Sequence, residues 1–178
     1  MTIRLLARFG ADRRGGAALE FALIAPVMVT LYFGAVEFSQ AFLAQRKADH
    51  VASAVGDLVA RARTVSTGDL SDYFTIGSQI MAPFPSGGLG IRVTSLTEGA
   101  SGAPTVSWSR GYGSLAARPA GASVTIPLAL DPGQSVIMAE SSYQYSSVLH
   151  QFVPQLLTFN RSYYLRPRVA DSVNCNGC

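Results

Sequence analysis

The chain has 178 residues, enough for one modest domain with an extension and tight for two. Only 14% of them are charged, against roughly a quarter in ordinary soluble domains, so the surface is polar without being ionic. The formal net charge of +3 arises at the start, where Arg4, Arg8, Arg13 and Arg14 stand against Asp12 and everything later balances. A nucleic-acid footprint needs a basic patch on the folded part, which this distribution excludes.

From Ala17 to Val36 the sequence is apolar except for Glu20 and Thr30. Twenty helical residues at 1.5 Å each span about 30 Å, the thickness of a bilayer core. Ala17, Leu23, Ile24, Pro26, Val29, Leu31, Phe33 and Val36 are the expected anchor residues, with Pro26 expected to bend the helix locally by removing one hydrogen bond. The arginines before the segment place the N-terminus in the cytoplasm and the remainder across the membrane. The alternative is a cleaved secretory signal, for which Ser39-Gln40-Ala41 offers small residues. Against it, the apolar stretch is longer than a signal core and the helical pattern continues past Ala41.

A carboxylate within a membrane helix is costly unless paired, although near the helix start the macrodipole and the headgroup region favour it. Glu20 stands in the sequence Arg13-Arg14-Gly15-Gly16-Ala17-Ala18-Leu19-Glu20-Phe21. This arrangement resembles the processing site of type IV pilins and, in its Glu-Phe ending, the Flp pilins and TadE/TadF pseudopilins of the tight adherence (Tad) pilus. The resemblance implies cleavage by a prepilin peptidase between Gly15 and Gly16, leaving Glu20 and Phe21 as the fifth and sixth mature residues. In that group the glutamate is thought to meet the N-terminal amine of a neighbouring subunit. Glycine on both sides of the bond lets a protease draw the backbone close.

Beyond the apolar run, Ala41, Ala44, Ala48, Val51, Val55, Leu58, Ala62 and Val65 alternate at spacings of three and four, a heptad seam. The helix is therefore expected to continue to residue 66. Its outer part, from Val51 on, is expected to pack on its own domain, and its inner part, from Glu37 to Ala48, to meet partner helices.

Ser66-Thr67-Gly68-Asp69 has capping-box spacing, and Leu70, Tyr73, Phe74, Gly77, Ile80 and Met81 form one face of a second helix, ended by Pro83-Phe84-Pro85. Strands are expected near residues 90–97, 105–110, 136–147 and 157–166, with Leu157, Phe159, Tyr163 and Leu165 on one face of the last. A shorter extended piece, 123–128, carries Pro127 and belongs on an edge.

Catalytic signatures are absent: no GxSxG, GxGxxG, P-loop or HExxH spacing occurs. His50 falls among the solvated helix positions and His150 in a loop; both read as surface histidines. Asp69 and Asp72 are ordinary first-turn acids. The DxDxDG and DxSxS patterns of metal-dependent adhesion are missing. The two cysteines, Cys175 and Cys178, have CxxC spacing but lie at the end of the sequence. They are disulfide candidates in an oxidising compartment; free or partner-linked thiols and a metal or redox role are the alternatives.

The expectation is an α+β, pilin-like fold: a long N-terminal transmembrane and stalk helix packed on a small antiparallel sheet with a second short helix. Its parts are a basic leader (1–15), a membrane helix (16–38), a stalk (39–66) and a periplasmic domain (67–178). The resemblance implies a non-enzymatic minor pilin of the bacterial inner membrane, without cofactor or metal. Its implied partners are the prepilin peptidase, other pilin-like subunits, the assembly platform and membrane lipid. A tethered or secreted binding module is the alternative from another class, and a periplasmic enzyme the third.

Overall fold

The computed structural model describes residues 15–98, 102–131, 133–147 and 157–178. Helix α1 (Gly16–Ala60) is followed by β1 (Thr64–Ser66), α2 (Thr67–Ile80), a 3-10 turn (Ser86–Gly88), β2 (Leu89–Glu98), β3 (Pro104–Tyr112), β4 (Ser135–Tyr145), β5 (Leu157–Leu165) and β6 (Asn174–Asn176). The chain forms two units, Met1–Gln40 and Ala41–Cys178, and α1 contributes to both. The expected α+β class and the long helix, short helix and antiparallel sheet are all present.

In the first unit α1 is apolar on every side, and Leu19, Phe21, Leu23, Ile24, Leu31 and Phe33 are all exposed within the chain. A helix without a polar face finds its environment in a bilayer or in other apolar helices. Its mean hydropathy over the best 18-residue window is 1.9.

In the second unit four strands form an antiparallel sheet in the order β3-β2-β4-β5. One face packs against α1 and α2: Ala44, Ala48, Val51, Val55, Val59, Leu70 and Phe74 join Ile91, Val93, Trp108, Ile137, Tyr143 and Tyr145 in the main core. The other face buries Leu96, Val106, Val136 and Met138 beneath Ala122, Val124, Ile126 and Leu130 of the β3–β4 connection, with Tyr164 alongside. A bulge in β3 opposite Ser95 and Leu96 inserts one residue, so Trp108 and Val106, which in a regular strand would share a face, enter different cores.

Two glycines set how closely these layers approach. A Cβ on Gly56 would lie 2.6 Å from Leu165 Cδ1 and 2.8 Å from Ala139 Cβ, and one on Gly77 would lie 2.7 Å from Ile91 Cδ1. The lack of a side chain at these positions lets α1 rest directly on β4 and β5, and α2 on β2.

The α2 N-terminus shows the expected capping box. Asp69 N–H donates to Ser66 Oγ at 3.1 Å, and Ser66 N–H donates to Asp69 Oδ2 at 2.8 Å.

The structure corrects two expectations. Helix α1 ends at Ala60 rather than at residue 66. Val65, which fits the heptad seam, is instead buried in β1, and β1 pairs in parallel with β6 at the far end of the sequence. The C-terminal segment supplies the reason: Arg168 N–H donates to Ala60 O and Asn174 N–H to Arg63 O, occupying carbonyls that continued helix would have used. The piece 123–128 lies on an edge as expected, though it forms no strand of its own: Ser123 bridges Thr105 and Val124 N–H donates to Pro104 O along the free side of β3.

Gly56→Val should lower the unfolding free energy of the full chain in detergent by about 1 to 3 kcal/mol, since the intruding atoms meet Ala139 as well as the more yielding Leu165. Gly68→Ala, whose new Cβ finds only Ser66 Oγ at 3.6 Å, should be neutral or mildly stabilising in the same denaturation series.

Candidate functional site

The residues singled out from the sequence fall into three groups along the chain. The first is the start of α1. Gly15 lies immediately before the helix and Gly16 is its first residue; among the described residues nothing comes within 4 Å of where their side chains would be. Glu20 lies one turn beyond Gly16 and Phe21 is 72% exposed. These four residues are thus open to approach. Arg13 and Arg14, together with the rest of the basic leader, lie outside the described residues, as does His150.

The anchor residues Ala17, Leu23, Ile24, Pro26, Val29, Leu31, Phe33 and Val36 all lie within α1, which continues through Pro26. Thr30 Oγ1 donates to Pro26 O at 2.8 Å, satisfying its hydroxyl within the helix rather than in lipid.

The second group is the seam. Ala44, Ala48, Val51 and Val55 are fully buried by the chain's own sheet and α2, Ala41 partly so. Own-domain packing therefore begins well before Val51, and Ser141 Oγ donates to Ala48 O at 2.7 Å within it. Leu58 is only half-buried; Val59 takes its place in the core. A straight helix repeats every 3.6 residues and drifts from a strict heptad, so the buried stripe moves by one residue at its outer end.

The third group is the C-terminal segment. Cys175 and Cys178 are joined by a disulfide with Cα atoms 5.7 Å apart, and Gly177 between them adopts a φ of +83°. Val173 is buried and its carbonyl accepts from Trp108 Nε1 at 2.7 Å.

A polar cluster that sequence reasoning missed lies on the sheet face opposite the helices. Glu140 of β4 receives Arg92 Nε at 2.7 Å and Nη2 at 3.0 Å from the adjacent strand, and both terminal nitrogens of Arg118 from the β3–β4 connection. Arg92 Nη1 also donates to Ala116 O. The cluster fastens the connection over the smaller core. Burial alone pushes the Glu140 carboxyl up, but the hydrogen bonds and charges of Arg92 and Arg118 outweigh it and hold the group below its ordinary value of 4.5. Only the strand register reveals this pairing, because the three residues are far apart in sequence.

His50 borders an open groove of about 610 Å³ with Asp57, Leu58, Arg61 and Arg168, where Asp57 is already engaged by both arginines. No group of three or more metal-ligating side chains occurs among the described residues. Among the described residues the geometry offers helix surface and packing, and no assembled nucleophile with a base.

In comparison with known proteins, the family model of TadE-like proteins matches residues 15–57. That span begins at the expected scissile glycine and ends inside the buried part of α1. No curated protein and no solved structure matches the chain.

Because the folded Glu140 carboxyl is held low, its contribution to stability is complete above the unfolded value and fades as pH falls through the folded one. Glu140→Gln should cost about 2 to 4 kcal/mol near neutral pH by leaving two arginines short of an acceptor. The same variant should show a shallower loss of thermal stability than the unaltered chain between about pH 5 and pH 3, read by circular dichroism.

Proposed function

We propose that the chain has a pilin-like, Tad-pilus-related role and acts as a minor pilin or pseudopilin in assembly of that pilus, a reading supported by the TadE-like match over residues 15–57. A prepilin peptidase removes the basic leader between Gly15 and Gly16, α1 holds the product in the inner membrane, and the domain lies on the periplasmic side. The match to residues 15–57 is the observation that carries this reading.

The chemistry of the helix start supports each step. Among the described residues nothing lies within 4 Å of where a side chain at either glycine would be. Cleavage would expose an amine at Gly16, and a second subunit's Glu20 placed beside it would gain a partner for a charge that lipid otherwise penalises by roughly 2.5 to 3.5 kcal/mol at mid-bilayer. The exposed apolar surface of α1 on every side suits it both to lipid and to a bundle of like helices. The implied partners are other pilin-like subunits and the inner-membrane assembly platform, and the work done is protein–protein contact in adhesion and surface colonisation.

The test is the N-terminal residue and mass of the protein isolated from membranes of its own host, with and without Glu20→Ala. The expected outcome is a chain starting at Gly16 whose processing falls at least tenfold in the variant. A start at Phe42 would identify a secreted domain, and an uncleaved chain indifferent to the substitution would identify a tethered binding module; either sinks the pilin reading.

A further inference from the structure

The C-terminal segment is held in two different ways. Residues 168–174 are seated by bonds to several parts of the domain: Arg168 N–H donates to Ala60 O, Ser135 Oγ to Asp171 O, Trp108 Nε1 to Val173 O and Asn174 N–H to Arg63 O, while the Val173 side chain is buried. Residues 175–178 have much less. Cys175 is half-buried against the main core, and Asn176, Gly177 and Cys178 are exposed. Their attachment is the short β6 ladder, where Cys175 stands opposite Val65 and Asn176 opposite Ser66, closed by the Cys175–Cys178 disulfide.

Two strands of three residues each make a marginal ladder in water. The turn after it is also costly to hold, because Gly177 at a φ of +83° occupies one of the many conformations that glycine samples when unconstrained. The disulfide removes most of those alternatives by joining the residues on either side of Asn176 and Gly177. What it secures lies at a junction. Ser66, opposite Asn176, is the N-cap of α2, with its N–H and hydroxyl both donating to Asp69 Oδ2. A Cβ on Gly177 would come 3.7 Å from Thr67 Cγ2, so the loop rests beside the first residue of that helix.

Cys178 is open to solvent while Cys175 is sheltered, so an outside thiol meets Cys178 first. We infer that this disulfide is a redox-sensitive closure: oxidised, it keeps residues 175–178 on β1, and reduced, it lets them leave while 168–174 stay seated. The reductant is a dithiol. One of its thiolates attacks the Cys178 sulfur and expels Cys175 as a thiolate, which takes up a proton; its second thiolate then resolves the mixed disulfide and releases Cys178. Two electrons and two protons pass to the cysteines, and the dithiol becomes a disulfide. Opening frees the edge of β1 that β6 covers at Val65 and Ser66 and uncovers Thr67, without disturbing the four-stranded sheet. The device lies wholly within residues 41–178 and does not depend on the pilus reading.

The test is hydrogen–deuterium exchange of the full chain in detergent, before and after treatment with dithiothreitol, with iodoacetamide labelling to count thiols. The expected result is that both Cys175 and Cys178 become labelled and exchange quickens at least tenfold at residues 64–66 and 175–177, with β2 to β5 unchanged and protection regained on reoxidation. Cys178→Ser should show the fast exchange without any reductant and no further response to it. Unchanged exchange with both thiols labelled would make the disulfide a passive cross-link and overturn the inference. So would a disulfide that excess dithiothreitol leaves intact in the folded chain, or exchange that quickens across β2 to β5 as well, which would mark a staple of the whole domain.

Discussion

The close approach of α1 to the sheet is the constraint on which the domain depends. Ala44, Ala48, Ala52, Gly56 and Ala60 recur at every fourth position, forming one ridge of small residues along the helix, all buried. Such a ridge runs at a shallow angle to the helix axis and leaves a groove into which a facing layer can settle. Here the facing layer is β4 and β5, in contact at Gly56, while Val51, Val55 and Val59 beside the ridge fill the space toward α2. A larger side chain anywhere on the ridge would lift the helix and separate both sets of contacts at once. The same helix thus shows apolar surface on every side in its first half and sided, small-residue packing in its second.

The rest of the domain follows from that seat. With one sheet face taken by two helices, the other must be covered by something else, and the β3–β4 connection does so with apolar side chains and an ionic fastening at Glu140. The connection is held by these contacts together with backbone hydrogen bonds to the β3 edge, from Val106 N–H to Ala122 O, Gly121 N–H to Val106 O and Val124 N–H to Pro104 O. The C-terminal segment performs the same service at the end of α1, where it caps the helix with main-chain hydrogen bonds and closes against the core through Val173.

Much of this was legible in the residues. The apolar run, the glycine pair and Glu20-Phe21 named the anchor and its family resemblance, because those signals are local. The capping box at Ser66 and Asp69 fixed the start of α2 for the same reason. The four long strands showed through their β-branched and aromatic composition. What escaped depends on partners distant in sequence. Val65 fits the helical spacing as well as it fits a strand, and only β6, more than a hundred residues away, decides between them. The stop at Ala60 carries no glycine or proline signal, since the groups that end the helix belong to the tail. Glu140 reads as one more polar residue until β2 is placed beside it.

The pairing of β1 with β6 has a mechanical meaning. The two strands run parallel, β1 is reached directly from the end of α1, and β6 leads to the C-terminal residue. Tension between the anchor and anything held at the C-terminal end would pull β1 backward and β6 forward, sliding one along the other and loading their ladder in shear, so that its bonds share the force instead of opening one after another. The Cys175–Cys178 disulfide, set within and just beyond β6, ties Cys178 back to the ladder. The β1–β6 pairing is therefore oriented to resist force along the strand direction.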